Sequence, residues 1–184
     1  MGHHIETDRL VLRPWDEADV DALFRYAKDP AVGPIAGWAP HASVEDSRQI
    51  IRDVFSAPET FAVVLKDLGE PVGCVGLLFG ENGTLPLPPG EAELGYWIGR
   101  PFWGRGLIPE ASRAVIRHAF VDLGISTLWC ICDAENAQSR RVMEKCGFAF
   151  HHIEENVPCP LMGGDRHQYC ATLPKGRWRD GLRA

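Results

Sequence analysis

"ELGYWIGRPFWGRGLIPEASRAVIRHAF", Glu93 to Phe120, sets a strand-like run, a turn framed by Gly104 and Gly106, and the start of a helix in immediate succession. A glycine-rich turn leaves backbone N–H groups unobstructed, and a helix start adds its own unpaired N–H groups and the positive end of its dipole. Together they form an anion site, most naturally for a phosphate or pyrophosphate; the alternative is a plain strand-to-helix connection. Arg105, between the two glycines, adds a charge at the rim. Two familiar phosphate loops are excluded. No Gly-Lys-Ser or Gly-Lys-Thr occurs in the chain, and Gly104-Arg105-Gly106 continues into Leu107, Ile108 and Pro109 instead of closing on a third glycine.

Upstream, Arg9–Trp15 alternates as a strand, and Asp16 offers the cap of a helix that carries Val20, Leu23, Phe24 and Ala27 at helical spacing before Pro30 stops it. The proline- and glycine-rich stretch 30–42 reads as an extended loop. Ser43 and Asp46 form a variant capping box for a second helix through Ile50, Ile51 and Val54. The apolar runs 60–67 and 71–80 read as a hairpin, followed by a loop over 81–91. Beyond the glycine turn, an amphipathic helix tolerates Pro109 in its first turn and stops at Gly124. A strand at 127–133, a shorter helix over 136–147, and strands at 148–155 and 166–174 around an irregular 156–165 complete the chain. The order β-α-α-β-β-β-α-β-α-β-β is α+β.

With 184 residues, 45% hydrophobic and 24% charged, the sequence suits one domain with a substantial core. The expected boundaries are 1–174 for that domain and 175–184 for a basic, frayed tail. No apolar run approaches the roughly 20 residues of a membrane span, and the first residues lack the apolar segment of a signal peptide; the expectation is a soluble cytoplasmic protein with no membrane partner. A net charge of −6 argues against nucleic acid as a partner. The six cysteines show neither C-x-x-C spacing nor a framework, and the histidines lack metal-ligand spacing, so reduced thiols and no metal are expected. A surface strand or the basic tail is compatible with a homodimer.

"YWIGRPFWGRGLIPEASRAVIRHAF" followed by "NAQSRRVMEKCGFAFHH" resembles the GNAT superfamily of acyl-CoA-dependent N-acetyltransferases, and within it the ribosomal-protein serine/alanine N-terminal acetyltransferase branch. "ETDRLVLRPWDEADVDAL" and "GWAPHASVEDSRQII" extend the resemblance over nearly the whole chain. The family's core pattern, Gln/Arg-x-x-Gly-x-Gly/Ala, falls on Trp103 to Ile108: Gly106 matches it, Trp103 replaces the first residue and Ile108 the small last one. The resemblance implies the GNAT fold, a central mixed, mostly antiparallel sheet flanked by helices. It also implies acetyl-CoA as cosubstrate, its pyrophosphate cradled by the main chain of Gly104, Arg105, Gly106, Leu107 and Ile108. The backbone of Trp97 and Ile98 would pair with the pantetheine arm, and Asn136 would contact that arm. For Asn136 the alternative is a helix N-cap, and the two roles are compatible.

Acetyl transfer to an amine requires a neutral amine, a polarised carbonyl and a proton for the leaving thiolate. By the resemblance, Glu93 is the candidate base on the strand leading to the turn, with Glu91 its neighbour in the preceding loop; the competing reading is a solvated strand carboxylate. Strict alternation puts Glu93, Gly95 and Trp97 on one face. Many relatives place a donor tyrosine before "EKxGF", where this chain has Met143, so the resemblance shifts that duty to Ser139, whose other reading is a surface hydroxyl on the helix. Trp38, in the loop bordering the acceptor side, is a lid aromatic or a loop anchor, and "NVPCPLMGGDRHQY" borders that side from the other end. The expected activity is N-acetylation of a primary amine, a protein N-terminus or a small amine, by direct attack in a ternary complex. The alternative is a CoA-binding sensor that has lost transfer.

Overall fold

Asp16 and Ser43 fix where the first two helices begin. Each side chain accepts backbone N–H groups at its helix start and is answered three residues on by an aspartate, Asp19 or Asp46, that accepts from the cap's own N–H. Such caps satisfy donors the helix leaves unpaired and stabilise by about 1 kcal/mol each. The computed structural model describes residues 3–159 and 164–181. A 3-10 turn at Glu17–Asp19 leads into α1 (Val20–Ala27), and α2 spans Val44–Asp53. The strands are β1 (Ile5–Glu6), β2 (Leu10–Arg13), β3 (Thr60–Leu65), β4 (Glu70–Leu78), β5 (Glu91–Ile98), β6 (Thr127–Asp133), β7 (Ala149–Pro158) and β8 (Asp165–Pro174). The later helices are α3 (Leu107–Val121), α4 (Ala137–Lys145) and α5 (Lys175–Gly181).

The chain forms two compact units, with β4, β5 and α3 each contributing residues to both. The first holds residues 3–76 and 96–114. Its strands run antiparallel in the order β1-β2-β3-β4. The β3 and β4 runs are buried on both faces, as their unbroken apolar sequences require. Trp15, Val20, Leu23, Ala27, Ile51, Ala62, Val64 and Cys74 form one cluster in this unit, against which Trp38 and Trp97 pack.

The second unit holds residues 77–95, 115–159 and 164–181. Its strand order is β5-β6-β8-β7, parallel between β5 and β6 and antiparallel thereafter. Register puts Ala92, Leu128 and Leu173 on one face, all buried, and Glu91, Glu93 and Trp129 on the other.

Three features differ from the sequence reading. The pair Ile5–Glu6 extends β2 into a short hairpin that two residues of alternation could not announce. The irregular 156–165 is shorter than expected, because β7 continues to Pro158 and β8 starts at Asp165; Pro160–Gly163 lie outside the described residues. The tail, expected to fray, is helical over Lys175–Gly181 because it has something to dock on: Trp178 packs on Phe120 with ring centroids 5.2 Å apart, and Arg177 Nε donates to the Gly147 carbonyl at 3.1 Å. Residues 182–184 of that tail lie outside the described part.

Candidate active site

The glycine turn has the backbone its sequence demands. Gly104 and Gly106 both adopt φ +74°, a region that L side chains populate only with strain, and a Cβ at Gly104 would meet nothing within 4 Å. Left-handed residues of this kind build anion-binding nests; in this turn the Arg105 N–H donates to the Phe102 carbonyl at 3.4 Å. Helix α3 starts at Leu107, so the unpaired N–H groups of its first turn follow directly on the glycine turn. Ile108, which replaces the family's small residue, is buried and does not prevent the turn. Arg105 is exposed with its guanidinium 5.5 Å over the Phe102 ring. The donor set and the open side of the turn fit a pyrophosphate.

Two residues to which the sequence reading gave no role at the site hold this turn. Glu110, in the first turn of α3, accepts from Thr7 Oγ1 at 2.6 Å, from the Arg9 N–H at 2.9 Å and from Arg9 Nε at 2.7 Å. Arg9 also donates from Nη1 to the carbonyl of Arg105 at 3.0 Å, inside the turn. Burial pushes the Glu110 carboxyl up, but the bonds from Thr7 and Arg9 outweigh it and hold the group below its ordinary value.

At the end of β5, Trp103 Nε1 donates to the Ile98 carbonyl at 2.9 Å, fastening the last residue of the strand to the first residue of the expected pyrophosphate pattern. One acceptor position of Ile98 is therefore already filled by the protein. Trp97 and Ile98 press on Gly73 of β4: a Cβ there would stand 2.4 Å from the Trp97 carbonyl oxygen. Trp38 meets Trp97 edge to face at 5.6 Å and His41 at 5.4 Å. His41 is anchored by its Nδ1 bond to Ser47 Oγ at 2.8 Å, and burial holds its pKa below the ordinary value against the pull of Asp46. Trp38 thus brings its loop onto Trp97 as part of an aromatic group, and it is only partly exposed.

In the second unit, Glu93 is 4% exposed, so the solvated reading of this carboxylate is excluded. It accepts from Thr84 Oγ1 at 2.8 Å on Oε1 and from the Thr84 N–H at 2.6 Å on Oε2, with the Leu85 N–H as a third donor. Burial pushes its pKa above the ordinary carboxylate value, and those bonds pull back without cancelling the shift. Glu91 opens β5 rather than ending the loop and accepts from Trp129 Nε1 at 2.6 Å. Among the described residues the parallel ladder of β5 and β6 runs from Glu91–Thr127 to Glu93–Trp129.

Asn136 caps α4, its Oδ1 accepting from the Ser139 N–H at 3.0 Å, so the N-cap reading is realised. The Ser139 hydroxyl hydrogen-bonds the thiol of Cys132, the last but one residue of β6. Cys132 is half-buried; its pKa is raised by burial, with Ser139 and Arg140 opposing. All six cysteines are thiols, and burial pushes that of Cys74 up to about 12, which makes it inert.

Residues 9–149 match the family model of the acetyltransferase (GNAT) domain. An uncharacterised N-acetyltransferase of Bacillus licheniformis, p20, is 30% identical over 149 residues, covering 77% of this chain and 80% of its own. Among solved structures, a GNAT-family acetyltransferase from Bacillus anthracis superposes with a TM-score of 0.81 at 20% identity, covering 95% of this chain and 99% of its own. A ribosomal-protein-S5-alanine acetyltransferase from Vibrio fischeri gives 0.75 at 17% identity, covering 96% and 98%. These likenesses share the mixed, mostly antiparallel sheet flanked by helices and extend along nearly the whole chain, including the strand, glycine turn and helix from Glu91 to Val121. The chain therefore belongs to the GNAT acetyltransferase family and is an acetyl-CoA-dependent acyltransferase.

Proposed function

We propose that this protein moves the acetyl group of acetyl-CoA onto a primary amine by direct attack in a ternary complex, with residues 1–174 as one catalytic domain. The observation that carries this reading is Glu93, a carboxylate 4% exposed and held by three hydrogen bonds. Burying an ionisable group costs stability, and perturbed carboxylates cluster where protons are moved, which favours a catalytic use of Glu93 over a sensor that only binds CoA.

The acyl donor would be held by the backbone of Gly104–Ile108 at its pyrophosphate, with Arg105 beside it, and by Trp97, Ile98 and Asn136 along its arm. Glu93, directly or through one water, accepts the proton of the incoming ammonium, freeing the nitrogen lone pair to attack the thioester carbon. A strand N–H, that of Ile98, polarises the carbonyl. As the C–N bond forms and the C–S bond breaks, the nitrogen gives up its second proton, and Ser139 or water passes a proton to the leaving thiolate and regains one from the nitrogen, so that the relay ends unchanged. Ser139 reaches this role through a hydroxyl already turned to sulfur at Cys132. Trp38 lines the acceptor side with Trp97.

For the acceptor, a protein N-terminal amine is favoured by the likeness to the Vibrio fischeri ribosomal-protein-S5-alanine acetyltransferase, a likeness of fold alone. The test is turnover of acetyl-CoA against separate pools of N-terminal peptides, amino acids, polyamines and aminoglycosides, with mass spectrometry of the products. Acetylated peptides are the expected result. A small amine as the product replaces the acceptor class, and CoA binding with no acetylated product in any pool returns the sensor reading.

A further inference from the structure

Glu93 and Thr84 are held together with more hydrogen bonds than a loop contact needs. The hydroxyl of Thr84 reaches Oε1 at 2.8 Å and its N–H reaches Oε2 at 2.6 Å, so one residue addresses both oxygens and fixes rotation as well as tilt of the carboxylate. The Leu85 N–H adds a third bond. A carboxylate offers about four lone-pair sites, so three donors leave about one for the proton of a substrate or water. Gly83 makes this approach feasible, since a Cβ there would stand 2.8 Å from Oε2.

We propose that Thr84 is a positioning residue for acetyl transfer, aiming the one unfilled lone pair of Glu93 at the acceptor by holding the other sites of its carboxylate. The proposal rests on the reading of Glu93 as the base. Among the described residues, the donors on Thr84 and Leu85 are the groups that favour the ionised form of Glu93 against burial. On the same face, Arg166 of β8 is paired with Asp133 of β6 at 3.6 Å. Glu91 on β5 is committed to Trp129 of β6, Cys170 on β8 has its thiol pushed up to about 11 by burial and stays neutral, and Glu154 on β7 bonds His152. The hydroxyl of Thr84 is therefore a lever on both the direction and the basicity of Glu93.

Two measurements on the full chain test this. The first is an infrared titration of the Glu93 carboxylate, identified by its absence in Glu93→Gln, in wild type, Thr84→Val and Thr84→Ser without substrate. Loss of the hydroxyl in Thr84→Val should raise the midpoint by about one pH unit, and Thr84→Ser should restore it. The second is the pH profile of kcat/KM with acetyl-CoA and a peptide beginning with serine, whose acid limb should move by the same amount in Thr84→Val and return in Thr84→Ser. Thr84→Ala replaces Thr84→Val in both if the valine variant does not fold. A midpoint unmoved by loss of the hydroxyl overturns the proposal while leaving Glu93 as the base. An acid limb and rate preserved in Glu93→Gln remove the base itself and the proposal with it.

Discussion

Trp103 donates its indole N–H to the carbonyl of Ile98 across 2.9 Å, tying the strand expected to meet the pantetheine arm to the turn expected to meet the pyrophosphate. Like the Gln or Arg of the family pattern, Trp103 carries an N–H donor, and in this chain that donor serves the strand end. Trp103→Phe keeps the ring and loses the donor. Acetyl-CoA should bind about fivefold more weakly, the value of one hydrogen bond near 1 kcal/mol. Calorimetric titration with acetyl-CoA checks this, and an unchanged Kd would mean that strand and turn keep their geometry independently.

Arg9 and Glu110 make a second tie, from the β1–β2 connection to the first turn of α3. Because the folded carboxyl titrates below its ordinary value, its contribution to stability is fully present above about pH 4.5 and is lost as pH falls through the folded pKa. Glu110→Gln should be less stable than wild type by about 1 kcal/mol near pH 7, a figure kept low because the Arg9 side chain is 47% exposed. The gap should narrow as pH falls below about 4.5 and close below the folded pKa. Thermal melts over a pH series from 7 downward decide it; a gap that does not narrow in acid would mean that shape rather than charge carries the contribution.

Gly73 is a glycine for lack of room, not for backbone freedom. A Cβ there would lie 2.4 Å from the Trp97 carbonyl oxygen and 2.9 Å from the Ile98 Cα, and neither backbone atom can rotate aside. Gly73→Ala should destabilise by about 2 kcal/mol, about 6 °C in Tm, and also weaken acetyl-CoA binding by displacing the strand end. Gly176→Ala is the matched control, since a Cβ at that position in α5 meets nothing within 4 Å and alanine favours a helix by up to about 1 kcal/mol. Equal melting temperatures for the two variants would contradict the crowding at Gly73.

The features legible in the sequence are those whose causes lie within a few residues. Asp16 with Asp19 and Ser43 with Asp46 announce helix starts because cap and partner are three apart. Gly104 and Gly106 announce the turn because left-handed backbone selects glycine locally. Glu93 is readable as a candidate, but its burial is not, because its partner Thr84 lies nine residues back and reaches it only when the loop folds over. Arg9 and Glu110 stand 101 residues apart, beyond any local pattern. The tail carries no strong helix signal and is ordered by Trp178 docking on Phe120, a contact of tertiary origin.

Gly106 separates the phosphate turn from a plain connection most directly. At φ +74° any side chain meets left-handed strain of about 1–2 kcal/mol, whereas the space itself is tolerant, since a Cβ at Gly106 would stand 3.7 Å from Arg9 Nη2. Gly106→Ala should therefore fold, since the strain is small against the total stability of a domain, but relieve itself by rotating the N–H groups of the turn. If those groups hold pyrophosphate, acetyl-CoA affinity should fall at least about tenfold, and most of that loss should disappear for a ligand without the pyrophosphate, such as S-acetylpantetheine. Parallel titrations of wild type and Gly106→Ala with the two ligands read both effects. An equal loss for both would place the damage in the strand and arm region, and no loss for either would reduce the turn to the plain strand-to-helix connection that its sequence also permits.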